Sequence, residues 1–515
     1  MITQIQLFQI GTFTFKLKHL LIIGVLILSF STSLMLRSQV LDYGSELHEF
    51  DPFFNFRATE FLVNNGLVEY YNWHDVKSWY PNGRDISATS QVMLHVTAAT
   101  TYQIFGSNME LYDFTILFPG IVGALTTIII FALVRVIGGT TAGLFASLFF
   151  AISVPIIIRG FMGWFKSEPL GLFYGLFGLY LFLSGIKSDN KKITLSKLIG
   201  GGIFMALGFA SWGGIQFFII PICIFIFVLP FLRKDFGFLI WSIPAFVISL
   251  LLTTMVFERP GVDFVLGLGG FALILPTIFL ITCSFVQKFS KSENQIRNYL
   301  ILLLTIILIG AFLIMFNTEN QFLQYPNYRY LNVINPFLTT TNPLVDSVSE
   351  HSVTSTYYSF FMHSVLMIFA GLGSWIIFNK IKFESSKDFP KHLIEFWIIF
   401  NKIKFESSKD FPKDLMVFVL IFGLVGAYVG SAFVRLELFT SLSIIFLSSI
   451  GLSIIIREIL NCKNQLHPIR NNIIKFSYVG GILILIIIPL TFSASNWNSI
   501  LDTPAILLNG GSIYN

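Results

Sequence analysis

The chain has 515 residues, 54% of them AVILMFWYC and only 12% charged, with 58 Phe and a formal net charge of +5. A soluble domain carries about 25% charged residues, and the mean hydropathy here is +0.76; a soluble enzyme, a disordered tail and a secreted disulfide scaffold are excluded. The three cysteines, Cys223, Cys283 and Cys462, form no CxxC pair, so neither a zinc site nor a disulfide framework is expected.

A transmembrane helix needs about 20 apolar residues. Thirteen runs qualify, at roughly 20–36, 114–134, 136–158, 169–186, 197–212, 214–232, 236–257, 264–286, 298–316, 358–379, 415–433, 438–456 and 476–494. The predicted fold class is an all-α polytopic membrane protein of about 13 transmembrane helices. Lys16 and Lys18 precede the first run and no small-residue cleavage site follows it, so it reads as a retained signal anchor. With the N-terminus cytoplasmic, inner segments carry 24 Lys+Arg and 10 Asp+Glu, and outer segments carry 9 and 18. Basic residues stay on the cytoplasmic side, which places the N-terminus inside and the C-terminus outside. The positive charge is therefore a membrane-face signal, and no nucleic-acid partner is expected.

The predicted membrane domain is 1–498, followed by a short outer tail at 499–515. Two outer segments are long, about 37–113 and 317–357. Both are rich in aromatic residues, which argues for function rather than disorder. The inner segment 380–414 overlaps a tandem copy with a period of 22 residues: WIIFNKIKFESSKDFPK runs from Trp375 to Lys391 and again from Trp397 to Lys413. A perfect copy without a solenoid pattern reads as a recent duplication or tolerated insertion.

Charges at the outer ends of spans are the candidates for chemistry, because placing them beside a membrane is costly. Asp51, in His48-Glu49-Phe50-Asp51-Pro52, suits a hard cation or a substrate amide; it equally suits a helix N-cap with Pro at the first position. The same loop holds Asn72-Trp73-His74-Asp75 and Trp79-Tyr80-Pro81-Asn82-Gly83-Arg84-Asp85, whose aromatic residues also fit an interface belt. Between the third and fourth runs, Arg159, Lys166 and Glu168 fall within ten positions. Glu168 reads either as a helix-dipole contact or as a metal carboxylate facing Asp51. Glu350 lies in Asp346-Ser347-Val348-Ser349-Glu350-His351-Ser352. Arg435 suits a phosphate, since its fork donates to two oxygens; the alternative is a snorkelling Arg paired with Glu437.

In order and placement, HEFDPFFNFRATEFLVNN at 48–65, the NW-D and WYP-GR pieces across 72–84, the Arg159–Glu168 loop, Ser211-Trp212-Gly213-Gly214, SVSEH at 347–351 and Val434-Arg435-Leu436 resemble the catalytic subunit of oligosaccharyltransferase, over about residues 18–498. The resemblance implies a GT-C type bundle and the transfer of an oligosaccharide from a dolichyl phosphate or diphosphate carrier to Asn of an Asn-X-Ser/Thr sequon. It implies a lipid-linked oligosaccharide and an acceptor polypeptide as partners, and Mn2+ or Mg2+ as cofactor. Asp51, Arg159 and Glu350 are then catalytic, Asp51 and Glu168 hold the metal, Arg435 and Lys166 meet the donor phosphate, and Asp51 and Glu350 bind the acceptor amide. SVSEH implies an archaeal or eukaryotic member: an integral protein of the cell membrane or the endoplasmic reticulum membrane, active on its outer or lumenal face.

The chain departs from that pattern twice. Lys166 stands where the family commonly has Asp, and a charged Lys has no lone pair for a metal; its ammonium is expected to take over part of the cation's role. No WWDYG motif occurs, and the sequence runs only nineteen residues past Asn496. A truncated product, the membrane half of a split enzyme or a donor-binding fragment without transfer is the alternative expectation. A related lipid-phosphate sugar transferase acting on a hydroxyl is a further class. A transporter would instead carry charges at mid-span.

Overall fold

The computed structural model describes residues 6–10, 13–233, 236–291, 294–320, 350, 354–363, 365–385, 412–461, 476–482 and 484. Most of the 317–357 segment, most of the tandem copy, the tail 499–515 and Cys462 lie outside the described residues. A small hairpin opens the chain, β1 (Gln6–Ile10) against β2 (Phe13–Lys16), antiparallel with Gln6 opposite Lys16. This is a departure from the all-α expectation.

The principal helices follow. They are α1 (Leu17–Ser38), α2 (Phe50–Asn65), α3 (Val92–Thr101), α4 (Leu111–Ile152), α5 (Ser167–Ile186), α6 (Lys191–Ser211), α7 (Ile219–Leu232), α8 (Leu239–Met255), α9 (Leu268–Phe289), α10 (Gln295–Asn320), α11 (Thr356–His363), α12 (Val365–Ser385), α13 (Lys413–Ala432) and α14 (Glu437–Asn461). Among the described residues nine helical segments are long and apolar enough to cross a membrane. The first twelve apolar runs all fall on described helices; the thirteenth, 476–494, lies largely outside the described residues. The chain is an integral, multi-pass membrane protein.

The 42 residues of α4 are two spans joined by one glycine. Gly139 has φ +82°, a conformation glycine adopts without steric cost. The reversal follows from contacts with α1. A Cβ on Gly123 would meet Arg37, while Ser147 Oγ lies 3.1 Å from Ser29 Oγ. A straight helix would separate Gly123 and Ser147 by roughly 36 Å, whereas Arg37 and Ser29 are roughly 12 Å apart along α1. Only a folded-back α4 satisfies both contacts.

Glycine also sets the packing of α5 against α6. At Gly178 of α5 a Cβ would stand 2.8 Å from the Met205 amide nitrogen and 3.0 Å from the Gly201 carbonyl of α6. Small residues allow this backbone approach, which is how helices associate where lipid removes the hydrophobic drive. The start of α6 is fixed by Asn190, whose side chain accepts from the amides of Lys192 and Ile193 at 3.0 and 3.3 Å, as an N-cap does. Aromatic stacking joins the later helices to the earlier ones: Phe217 lies 4.2 Å from Phe439 on α14, and Trp212 stacks on the same ring.

The 37–113 segment is folded, not a tether. It has its own small core of Ala58, Leu62, Tyr70, Ile86, Val92 and Ala99. Phe61 and Trp73 stack at 4.0 Å with rings nearly parallel, Arg57 pairs with Asp75, and Arg84 lies 4.0 Å over Phe54. These aromatic residues therefore brace the loop on itself. Glu258 and Arg259, between α8 and α9, tie it down through Ser87 Oγ at 2.9 Å and the Thr89 carbonyl at 2.7 Å.

Candidate active site

Six charged side chains named from the sequence converge at one end of the bundle. They come from the start of α2, the 159–166 loop, the start of α5, Glu350, and the turn between α13 and α14. Arg159 Nη1 donates to Glu350 Oε1 at 2.5 Å. Arg435 Nη2 donates to Glu168 Oε1 at 2.7 Å, and its Nη1 is 3.5 Å from Glu350 Oε2. Lys166 Nζ is 3.3 Å from Asp51 Oδ2, donates to Glu49, and lies 4.2 Å over the Trp164 ring. Asp51 also attracts Arg435 across the cluster.

The burial of these groups is uneven. Glu168 is 1% exposed and the Asp51 side chain 73% exposed, so one carboxylate is locked in and the other faces outward. Burial alone would raise the Glu350 carboxyl; the guanidiniums of Arg159 and Arg435 outweigh it and hold Glu350 below the usual carboxylate range.

Local structure explains the placement of Asp51. α2 starts at Phe50, one residue before Asp51, and Glu49 occupies the N-cap position with φ +70°. Asp51 is thus a first-turn residue and not the cap. One turn on, Asn55 shares its face and donates from Nδ2 to the Phe165 carbonyl at 2.9 Å. Its Oδ1 lies 3.0 Å from His95 Nε2, and His95 Nδ1 lies 2.6 Å from Tyr70 Oη. Burial, helped by Arg84, pushes His95 down to about 3. The neutral ring then donates from Nε2 to Asn55 and accepts from the tyrosine at Nδ1, so every polar atom of the chain is used. Asn55, His95 and Tyr70 carried no sequence signal beyond being polar in an aromatic loop. Glu49 could have been found from its neighbour Asp51.

The 159–166 loop is held from below. Met162 N donates to the Arg37 carbonyl at 3.0 Å and Gly163 N to the Ile116 carbonyl at 2.8 Å. Arg37 is 1% exposed and bonds Ser33 Oγ at 2.5 Å. Glycines at 120, 123 and 160 leave it room. Glu437, the expected alternative partner of Arg435, is taken by His363 Nε2 at 2.9 Å and by Ser359. That frees Arg435 for Glu168 and Glu350.

A divalent cation can be tested against these donors. Glu168 Oε2 is buried without a hydrogen-bond partner, and Asp51 is an accessible carboxylate beside it in the cluster. Mg2+ is commonly held by one or two carboxylates completed by water and substrate phosphate, and this pair fits that mode. A dedicated protein cage does not fit: among the described residues no three His, Cys, Asp or Glu side chains are grouped as a metal cluster, and the Lys166 ammonium already contacts Asp51.

Solved structures show the same fold. The apo oligosaccharyltransferase of Archaeoglobus fulgidus aligns with a TM-score of 0.70 at 15% identity, over 96% of this chain and 56% of that one. The same archaeal protein in complex with an inhibitory peptide and a dolichol-phosphate aligns at 0.67 and 14% identity, over 95% and 55%; another of its structures is a complex with Zn and sulfate. Among curated relatives, the STT3A subunit of dolichyl-diphosphooligosaccharide–protein glycosyltransferase from Oryza sativa subsp. japonica is 30% identical over 365 residues, 68% of this chain and 44% of that protein. The STT3 subunit of Dictyostelium discoideum is 27% identical over 378 residues, 71% and 51%. The chain spans about half the length of the relatives it matches. The family model described as oligosaccharyl transferase STT3, N-terminal, matches residues 18–384, most of the chain, and the chain belongs to that family.

Proposed function

We propose that this chain forms the membrane-embedded catalytic part of an oligosaccharyltransferase, which transfers an oligosaccharide from a dolichyl phosphate or diphosphate carrier to Asn of an Asn-X-Ser/Thr sequon. The observation that carries the reading is the interlocked cluster of Arg159, Lys166, Glu168, Glu350 and Arg435 with Asp51 at its open side. Cations and carboxylates are both needed at one point, since one substrate brings a phosphate and the other an amide.

The amide nitrogen is a poor nucleophile because its lone pair is delocalised into the carbonyl. Asp51 and Glu350 accept from its two N–H groups and weaken that delocalisation. Arg435, backed by Glu168, and Lys166, backed by Glu49, face the leaving phosphate and offset its growing charge. Arg159 orients Glu350. When bound, Mn2+ or Mg2+ would be held by Asp51 and Glu168 and would act as a Lewis acid on the phosphate. Lys166 supplies a resident positive charge in the same place, so the chain leans less on the metal than a site with Asp at that position would.

In this reading the N-terminus is cytoplasmic and the cluster lies on the outer face of an archaeal cell membrane or the lumenal face of the endoplasmic reticulum. About thirteen spans and a domain boundary near 498 complete the arrangement. The test is reconstitution of the chain in liposomes with a dolichyl-linked oligosaccharide and a fluorescent sequon peptide. Glycopeptide that forms with the wild type and disappears with Arg435→Ala supports the reading. Donor binding without glycopeptide, even when the relatives' C-terminal region is added in trans, would convert the assignment to a donor-binding protein.

A further inference from the structure

Trp164 joins the charged cluster to the apolar packing beneath it. It is 6% exposed and packs with Val40 and Phe161. The Lys166 ammonium lies 4.2 Å from the centre of its ring and the Arg159 guanidinium 5.7 Å. We propose that Trp164 is a positioning residue, whose ring holds these two cations in place for the transfer reaction proposed above, on which the role rests.

The chain path places the indole. Gly163 has φ +85°, and a Cβ on it would stand 2.4 Å from the Glu46 carbonyl oxygen. Glycine therefore lets the loop lie against the segment that leads into α2, and His48 N donates to the Gly163 carbonyl at 3.1 Å. Trp164 N donates to the Phe161 carbonyl at 3.1 Å, and the Trp164 carbonyl accepts from Lys166 N at 2.7 Å. The tight turn brings the Lys166 side chain back over the indole.

Two observations favour an electrostatic role over packing alone. The first is the indole Nε1, which is buried without a hydrogen-bond partner among the described residues. A buried Trp N–H ordinarily finds an acceptor, and leaving it idle is costly. What the residue offers instead is its ring, the best cation-binding face among the side chains. The second is where the carboxylate partners lie. Lys166 meets Glu49 and Asp51, whose side chains are 49% and 73% exposed, and Arg159 meets Glu350. Asp51 and Glu350 are the two carboxylates proposed to accept from the substrate amide. Each cation thus shares a partner with the incoming substrate. A buried ring is beyond the substrate's reach and keeps its hold while the carboxylates take up the amide. It also lies against both cations, which otherwise repel each other.

The test places mono-, di-, tri- and tetrafluorinated tryptophan at position 164 of the full chain by codon suppression. Fluorine drains the negative face of the ring at nearly constant shape, so a cation–π contact weakens step by step while packing is kept. Acetylation of Lys166 by acetic anhydride, read site by site by mass spectrometry, should quicken with each fluorine and reach roughly five- to tenfold in the tetrafluoro protein. In the glycopeptide assay kcat should fall over the same series by a similar factor, with the peptide KM changed by less than about twofold. Trp164→Phe, which keeps a ring and drops the idle N–H, should retain more transfer than Trp164→Leu. Labelling that is flat across the fluorine series overturns the proposal, even where Trp164→Leu is inactive, because a loss confined to the leucine variant is lost packing. Quickened labelling with kcat unchanged overturns it as well. If the wild type makes no glycopeptide, the transferase reading fails by itself, and the labelling series still decides whether the ring holds Lys166.

Discussion

The two ends of the same helices use charge in opposite ways. α5 carries Glu168 at one end and is followed by Lys187 at the other; Arg435 precedes α14 and Arg457 closes it. At the Glu168 end every cation has a carboxylate partner and each carboxylate is shared or braced. At the Lys187 end three cations line a cleft with no carboxylate in its wall. The first arrangement is a network whose members depend on one another. The second gathers Arg135, Lys187 and Arg457 beside the hydroxyls of Thr140, Thr141 and Ser453. Positive-inside asymmetry describes the totals; the interlocked pairs at the Glu168 end are what make that end a site.

The comparison breaks most sharply at Arg435. Arg435→Ala removes the guanidinium that hydrogen-bonds the buried Glu168 and takes from Glu350 one of the two cations that hold it among the described residues. Glycopeptide formation should fall on the order of 100- to 1,000-fold, and denaturation should reveal a loss of about 3 kcal/mol. At the other end, Lys288→Ala is exposed and should change stability by no more than about 0.5 kcal/mol. Equal losses at both positions would show that the network adds nothing.

Lys166→Ala should reduce transfer at least tenfold even with saturating Mn2+, while Lys166→Asp should lower the Mn2+ dissociation constant about tenfold or more, because it replaces a repelling ammonium with a ligand. Manganese electron paramagnetic resonance reads the second effect without reference to turnover. Normal transfer by the alanine variant would remove the resident-cation role.

Gly123→Ala drives a methyl to within 2.5 Å of Arg37 Nε. Repacking around a buried side chain should cost about 1–3 kcal/mol and loosen the 159–166 loop above it, visible as a lowered melting temperature.

A further effect is in the pH profile. His95 is held neutral, near 3, while an unfolded histidine titrates at about 6.5. The unfolded chain therefore binds the extra proton first, and stability should be constant above about pH 6.5 and fall by roughly 1 kcal/mol per unit below it. His95→Gln should flatten this slope. Glu350, depressed by its arginines, adds its loss as the pH falls through the ordinary carboxylate range and below it.

The spans and the site residues were legible for different reasons. Apolar runs announce themselves within 20 residues, so twelve of the thirteen could be matched to described helices. The runs 114–134 and 136–158 separate the two spans of α4, though the break between them falls at 135 and the reversal is at Gly139. Asp51, Arg159, Glu168 and Arg435 stood out as charges at span ends, Glu350 only through SVSEH in a long outer loop, and family resemblance supplied the roles proposed for them. What could not be read was pairing. Arg435 lies two residues from Glu437 in sequence yet bonds Glu168, 267 residues away. The Tyr70–His95–Asn55–Phe165 chain links residues up to 110 positions apart, and neither helical nor strand periodicity marks such residues. The opening β-hairpin was missed because its alternation is short and adjoins the first span.

Glu350 holds Arg159 on one oxygen and Arg435 on the other. A carboxylate offers about four acceptor directions, so two remain when both guanidiniums are in place. In the proposed reaction an incoming amide would dock without evicting either arginine. The glutamate is clamped beforehand, and the rotameric freedom it would otherwise surrender on binding has already been given up. Acceptor capture would then be an addition to a finished scaffold, with the aim of the carboxylate set by folding and not by the encounter.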